Sequence, residues 1–189
     1  MSQATHEFIL GGQKSGKSAR AETLAQVWLQ SPQRQAWLIA TAQPWDDEMS
    51  QRIARHQQDR ALRVPGLRTH EEPRQLAEAL RRLSAPDTLV VVDCLTLWLT
   101  NWLMPAPGQA AQDAEAPVAE LLRALAQVRG PVVLVGNEIG LGVIPMGREV
   151  RQFVDRLGRL NQQVAAACDR VTLMAAGLPL SLKAENPQP

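Results

Sequence analysis

Apolar residues in this chain fall into short unbroken runs, separated by longer stretches in which they recur every three or four positions. The short runs are Phe8-Ile9-Leu10, residues 36–40, residues 88–93 and residues 131–136, and residues 169–175 supply a fifth strand. Residues 88–93 are the clearest, a continuous β-branched run closing in an acid that suits a central strand of a parallel sheet. Helical spacing predicts helices over 19–28, 45–60, 71–83, 95–103, 118–128 and 148–168. The last is the clearest, with Val150, Val154, Leu157, Leu160, Val164 and Ala167 on one stripe. Asp46, Asp47 and Glu48 put negative charge in the first turn of the second helix, where the helix dipole favours it. Along that helix Met49, Ile53 and His56 fall at i, i+4 and i+7, which sets His56 near the apolar face.

Three passages lack periodicity. Residues 61–70 contain Pro65-Gly66 and read as an exposed loop. Residues 104–117, rich in Pro, Gly, Ala, Gln and Asp, read as a mobile excursion. The tail from Gly177 reads as a fraying end. Strand and helix otherwise alternate, which predicts an α/β fold with a mainly parallel sheet and helices on both faces. Ligands in such folds bind beyond the carboxyl ends of the strands.

The chain has 189 residues, so one domain spanning 1–189 is expected. Its formal net charge of +1, and the lack of a basic face with interleaved aromatics, argue against nucleic acid as a partner. The two cysteines, Cys94 and Cys168, have neither metal nor disulfide spacing, so a reducing cytoplasm is the default. No apolar stretch is long enough to span a bilayer, and no signal peptide is expected.

The chemistry begins at Gly11-Gly12-Gln13-Lys14-Ser15-Gly16-Lys17-Ser18. This is G-x-x-x-x-G-K-S, a P-loop, with a strand before it and a helix after it. Backbone N–H groups of such a loop cradle phosphates, Lys17 reaches the β- and γ-phosphates, and the Ser18 hydroxyl is placed for Mg²⁺. A chance match in a Gly/Ser/Lys-rich turn is the plain alternative, and the flanking elements argue against it. Asp93 closes an apolar strand, as a metal-holding Walker-B acid does. It could instead cap the helix that follows. Thr41 and Asn137-Glu138 also fall at strand ends, so four polar features converge on one edge.

Only three histidines occur. A lone histidine on a helix is usually structural. His56, however, has Arg52, Arg55 and Arg60 around it. A neutral imidazole can attack a nucleotide's α-phosphorus and carry the nucleotidyl group as a phosphoramidate, with arginines stabilising the charge. Trp98 and Trp102 could line a pocket for a large ring system, but a core or subunit-interface role fits such a pair better.

Taken together, the sequence resembles the bifunctional adenosylcobinamide kinase / adenosylcobinamide-phosphate guanylyltransferase family of cobalamin biosynthesis. The likeness runs from Phe8 to about Leu182. It is carried by the P-loop; by Ile39-Ala40-Thr41-Ala42-Gln43 with Asp47-Glu48-Met49, Arg52-Ile53 and His56; by residues 92–101; and by residues 137–145 with Arg159-Leu160-Asn161-Gln162. The resemblance implies a RecA-like P-loop fold of three layers that assembles as a trimer. It implies two reactions. Adenosylcobinamide is phosphorylated with a nucleoside triphosphate, ATP or GTP. GMP is then transferred from GTP to that phosphate through a guanylylated histidine, a position that matches His56. Family nucleotide contacts fall on Gly11, Gly12, Gln13, Lys14, Ser15, Gly16, Lys17 and Ser18, on Ile39, Ala40 and Thr41, on Gln57, Gln58, Asp59 and Arg60, and on Glu71 and Asp93. Mg²⁺ would be held by Ser18 and Asp93. Arg68-Thr69-His70-Glu71 matches the family's arginine-threonine-x-glutamate, with Glu72 as the neighbouring alternative. Some relatives carry arginine where Lys14 stands and glutamate where Asp93 stands, so charge is kept at both. The competing readings are a single-function P-loop kinase or NTPase with a structural histidine, and a nucleotide-binding module that does not turn over.

Overall fold

The computed structural model describes residues 5–106 and 108–184, except for the side chain of Arg52. Among the described residues seven strands form one sheet: β1 (His6–Gly11), β2 (Gln35–Ala40), β3 (Leu67–Glu71), β4 (Thr88–Asp93), β5 (Val132–Asn137), β6 (Arg170–Ala175) and β7 (Leu178–Lys183). Their spatial order is β3-β2-β4-β5-β1-β6-β7. Every neighbouring pair is parallel except β6 and β7. The helices are α1 (Lys17–Trp28), α2 (Asp47–Arg63), α3 (Leu76–Leu83), α4 (Leu95–Leu103), α5 (Glu115–Gln127) and α6 (Arg148–Ala167).

Side chains on successive strand positions point to opposite faces, so each central strand feeds two cores. Phe8, Leu10, Val90, Val92, Val132 and Leu134 face α3, α4, α5 and α6, with Leu80, Trp98, Leu125 and Leu160 among the buried partners. Ile9, Leu38, Leu89, Val91, Val133 and Val135 face α1 through Ala21 and Ala25, with Val64 at the end of α2. The two layers of helix are therefore unequal. Four helices cover one face, and the other is covered by α1 with the last turn of α2.

The five expected strands are all present, and two more join them. The passage expected as an exposed loop contains β3, whose pairing with β2 aligns Ala36 with Leu67 and Ala40 with Glu71. It is an edge strand, exposed at Arg68, Thr69 and Glu71, so its polar residues hide the strand pattern. Because β3 consumes residues up to Glu71, α3 begins at Leu76 rather than at 71. The tail does not fray after Gly177: Leu178, Leu180 and Leu182 alternate along β7. Its two-residue turn, Ala176-Gly177, has positive φ at both positions (51° and 80°). That is the backbone a tight hairpin requires. Residues beyond 184 lie outside the described residues. The excursion over 104–117 ends early, because Ala114 is buried and Glu115 already starts α5.

Candidate nucleotide site

Parallel pairing brings the carboxyl ends of β3, β2, β4, β5 and β1 to one edge. Along it lie Glu71, Ala40 followed by Thr41, Asp93, Asn137 and Gly11. At about 4.8 Å per strand, this row spans roughly 19 Å from Gly11 to Glu71.

The loop between β1 and α1 is held by backbone conformations that glycine supplies. Gly11 has φ 153°, and a Cβ there would meet the Met174 carbonyl oxygen and Ser15 Oγ at 2.5 Å each. Gly16 has φ 99° at the N-cap of α1, so the first N–H groups of that helix open toward the loop. Lys17 is buried, and its Nζ donates to the carbonyl of Gly12 and, at 3.4 Å, to Ser15 Oγ. Burial pulls its pKa below the usual lysine value, while Cys94 and Asp93 oppose the shift. The loop is braced from the side by the β6–β7 turn, where Gly177 N–H donates to the Ser15 carbonyl at 3.0 Å. Gly12, Gln13 and Lys14 are exposed, and Ser18 is partly exposed at the start of α1.

Asp93 sits two strands from the loop, with β5 between. It is not the cap of α4. That position is taken by Cys94, whose Sγ accepts from Leu97 N–H at 3.5 Å. The carboxylate of Asp93 is thus not spent on the helix. The Asp93–Cys94 peptide is cis. Thr41 ties this corner together: its hydroxyl donates to the Cys94 carbonyl (2.7 Å) and accepts from Cys94 N–H (2.9 Å). Ile39 is fully buried in the core and Ala40 partly exposed at the strand tip.

Three polar residues that the sequence reading left without a role shape the edge. Asn101 is buried on α4 and donates through Nδ2 to the carbonyls of Thr41 (2.8 Å) and Pro73 (2.9 Å). Thr96 Oγ1 accepts from Asn137 N–H at 2.9 Å, and Asn161 Nδ2 donates to the Asn137 carbonyl at 3.2 Å. Their signal in the sequence was a polar residue on the inward stripe of an apolar helix, which asks for a buried partner. Of the tryptophans, Trp98 is core, donating through Nε1 to the Arg74 carbonyl at 2.9 Å. Trp102 lies under the Arg74 guanidinium, 5.1 Å away.

The second helix departs from expectation. His56 is exposed rather than set in an apolar face, as are Arg55, Gln57, Gln58 and Asp59. Met49 and Ile53 are only partly covered. The reason is that α2 docks by its end: among its described side chains Arg60 alone is buried. Arg60 Nε lies 3.7 Å from Glu22 Oε1, and Arg63 Nη1 lies 3.0 Å from Glu22 Oε2. Gln57 Nε2 donates to Glu71 Oε1 at 3.0 Å, linking α2 to the tip of β3. Glu72 has a local task instead, since its Oε1 accepts from the N–H groups of Arg74 (3.0 Å) and Gln75 (2.8 Å).

For a divalent cation the oxygen donors nearest in role at this edge are the Ser18 hydroxyl and the Asp93 carboxylate. Among the described residues no group of three or more His, Cys, Asp or Glu could hold a metal by itself. Two hard oxygen donors beside a phosphate loop suit Mg²⁺, which takes its other ligands from phosphate and water. Among the described residues no helix is long and apolar enough to cross a membrane.

Comparison with known proteins finds a family and individual relatives. The model of one family, described as cobinamide kinase / cobinamide phosphate guanyltransferase, matches residues 7–182. The bifunctional adenosylcobalamin biosynthesis protein CobP of Pseudomonas aeruginosa is 46% identical over 95% of this chain and 98% of its own length. The bifunctional adenosylcobalamin biosynthesis protein CobU of Escherichia coli is 36% identical over 93% and 98%. Among solved structures, the flagellar accessory protein FlaH of Methanocaldococcus jannaschii is similar with a TM-score of 0.55 at 12% identity, covering 98% of this chain and 80% of that one. At that identity the likeness speaks for the fold alone, and it bears out the expected RecA-like P-loop architecture.

Proposed function

The chain belongs to the cobinamide kinase / cobinamide phosphate guanyltransferase family, and from that membership we propose how one P-loop domain spanning 1–189 performs both reactions. The protein is a bifunctional kinase and guanylyltransferase of cobalamin biosynthesis. In the first reaction the aminopropanol hydroxyl of adenosylcobinamide takes the terminal phosphoryl group of ATP or GTP. In the second, GMP passes from GTP to adenosylcobinamide phosphate, giving adenosylcobinamide-GDP and pyrophosphate.

The observation that carries this reading is the shared edge. Loop, Thr41, Asp93 and Glu71 lie on one row of strand tips, and α2, which bears His56, is linked to that row at Glu71 and to α1 at Glu22. The triphosphate is held by residues 11–18, with Lys17 on the β- and γ-phosphates. Ile39, Ala40, Thr41, Gln57, Gln58, Asp59, Arg60 and Glu71 complete the nucleotide contacts. Glu71 fits that role better than Glu72, whose carboxylate is already used by Arg74 and Gln75. Ser18 and Asp93 would hold Mg²⁺, which when bound neutralises charge on the transferring phosphates. In the second reaction an imidazole nitrogen of His56 attacks the α-phosphorus of GTP. The bond to the β-phosphate oxygen breaks, pyrophosphate departs, and the imidazole proton goes to solvent. An oxygen of adenosylcobinamide phosphate then attacks the same phosphorus, the P–N bond breaks, and His56 recovers a proton. Two modest displacements replace one difficult step. Exposure of His56 supports this, since the corrinoid phosphate must reach the guanylyl group.

Two further assignments complete the reading, the first resting on the family and the second on the cysteines. The chain forms a trimer, which fits the apolar surface at Leu141, Val143 and Met146 after β5 and at Leu178, Leu180 and Leu182 on β7. It works in the cytoplasm, which fits two free, buried thiols that burial pushes up to about 12.

The test is incubation with α-labelled GTP and Mg²⁺, followed by denaturation and peptide mapping. Acid-labile, base-stable label on His56 is expected, with His56→Ala losing guanylyl transfer and keeping kinase activity. An active, folded protein without label points instead to a plain P-loop kinase with a structural histidine.

A further inference from the structure

We propose that Glu22 is the positioning residue of the guanylyl-transfer half-reaction: its carboxylate grips α2 through Arg60 and Arg63 and thereby sets His56 over the phosphate loop. This rests on the assignment of His56 as the guanylylated residue.

The argument starts from helix geometry. His56, Arg60 and Arg63 stand at i, i+4 and i+7, so they share one stripe of α2. Arg60 lies about 6 Å along the axis from His56, one turn away. The stripe that carries the histidine is therefore the stripe that Glu22 holds. At its other end the grip is rigid. Glu22 is on α1, little more than a turn beyond Lys17 and Ser18, and is 5% exposed. One carboxylate thus connects the helix that starts in the phosphate loop with the helix that bears the nucleophile.

The contact is poorly explained by stability alone. Arg60 Nε is 3.7 Å from Oε1. Neither Arg60 Nε nor Glu22 Oε2 is in a well-formed hydrogen bond, although Arg63 Nη1 approaches Oε2 to 3.0 Å. Burial raises the carboxyl's pKa despite the lowering by Arg63, Arg60 and His56, with Asp93 adding to the rise. A buried ion pair of this kind contributes little net stability. It does constrain geometry, because two arginines a turn apart on one carboxylate resist both rotation and sliding of α2. Elsewhere α2 has little to hold it, with Arg60 its one buried described side chain. Removing the half-exposed Arg63 would leave the fold intact and the histidine loose, whereas removing Glu22 also leaves the buried Arg60 without its partner.

The experiment measures, in Glu22→Gln, Arg63→Gln and the double variant, the rate of His56 labelling from α-labelled GTP beside the kinase rate and its KM for the triphosphate. Glu22→Gln is expected to slow labelling on the order of 10²-fold, the scale of an ångström-sized misplacement of a reacting group. The kinase rate at saturating triphosphate should stay at the wild-type value, while its KM rises, because Gln57, Gln58, Asp59 and Arg60 on the same helix are nucleotide contacts. Arg63→Gln, whose half-exposed side chain leaves the core untouched, should act in the same direction, and the double variant should be no worse than Glu22→Gln. Glu22→Asp should restore part of the labelling rate. Labelling of Glu22→Gln at the wild-type rate overturns the proposal, as does equal loss of both reactions in Arg63→Gln, which would mark a structural tie. If the wild-type protein itself takes no label on His56, the parent assignment falls, and this one with it.

Discussion

Single residues divide into those whose roles follow from their own chemistry and those whose roles come from what surrounds them. Lys17 and Ser18 belong to the first kind, since a loop of that spacing needs a cation and a hydroxyl there. His6 belongs to the second. It is buried on β1, with its ring nitrogen Nε2 3.1 Å from the Leu125 carbonyl and its own N–H donating to Asp169 Oδ2 at 2.7 Å. Burial lowers its pKa below the ordinary 6.5, and the hydrogen bond to Leu125 and the charge of Asp169 only partly offset this. A histidine with a depressed native pKa binds fewer protons folded than unfolded, so stability falls as pH drops below 6.5. Denaturant unfolding across that interval should show this slope, and His6→Gln, which can still donate to Leu125, should flatten it. At residue scale the sequence was readable wherever a motif demanded a residue type. It was silent on Glu22, because a glutamate on a helix is ordinarily solvated and only its burial sets it apart.

Among elements, the central strands announced themselves by continuous apolar runs, and the edge strands did not. β3 carries Arg68, Thr69 and Glu71 toward solvent and is recognisable only from its pairing with β2. β7 did alternate leucines, but Gly177 and Pro179 disguised it. Proline is tolerated on such an edge because no ladder donor is required there. β7 also finishes its neighbour. Lys183 Nζ donates to the carbonyls of Ala165 (3.2 Å), Ala166 (3.3 Å) and Cys168, the groups a helix end leaves unpaired. A cation at a helix C-terminus is also favoured by the dipole. Lys183→Ala should therefore cost about 1 kcal/mol. For a chain of this size that lowers Tm by roughly 2–4 °C in a thermal melt. An unchanged melting temperature would mean that water replaces the ammonium without loss.

For the whole molecule, unequal covering of the sheet is the dominant feature. One face has four helices, and the other has α1 and the end of α2. Apolar side chains stand in solvent on the passage after β5, where Val143 is 95% and Met146 97% exposed, and along β7. Patches of that kind on a folded chain mark contact surfaces. Mass measurement by light scattering should give three times the 20.8 kDa of one chain, and a value near 20.8 kDa would exclude the trimer.

The order of the five inner strands and the six helices, the phosphate loop, the acid at the end of β4 and the histidine on α2 were determined by the sequence alone. Each is a local matter: a period, a glycine spacing, a side chain that the chemistry needs. Strand order, the two edge strands, the choice of Cys94 over Asp93 as helix cap and the burial of Glu22 between two arginines were decided only by tertiary structure. These depend on which residues meet across dozens of intervening positions, and local pattern carries no record of such meetings. The exposure of His56 is the clearest instance. Its spacing to Met49 and Ile53 predicted an apolar setting, yet among the described side chains of α2 Arg60, in the last turn, is the one that is buried, and docking by that end leaves the histidine facing solvent.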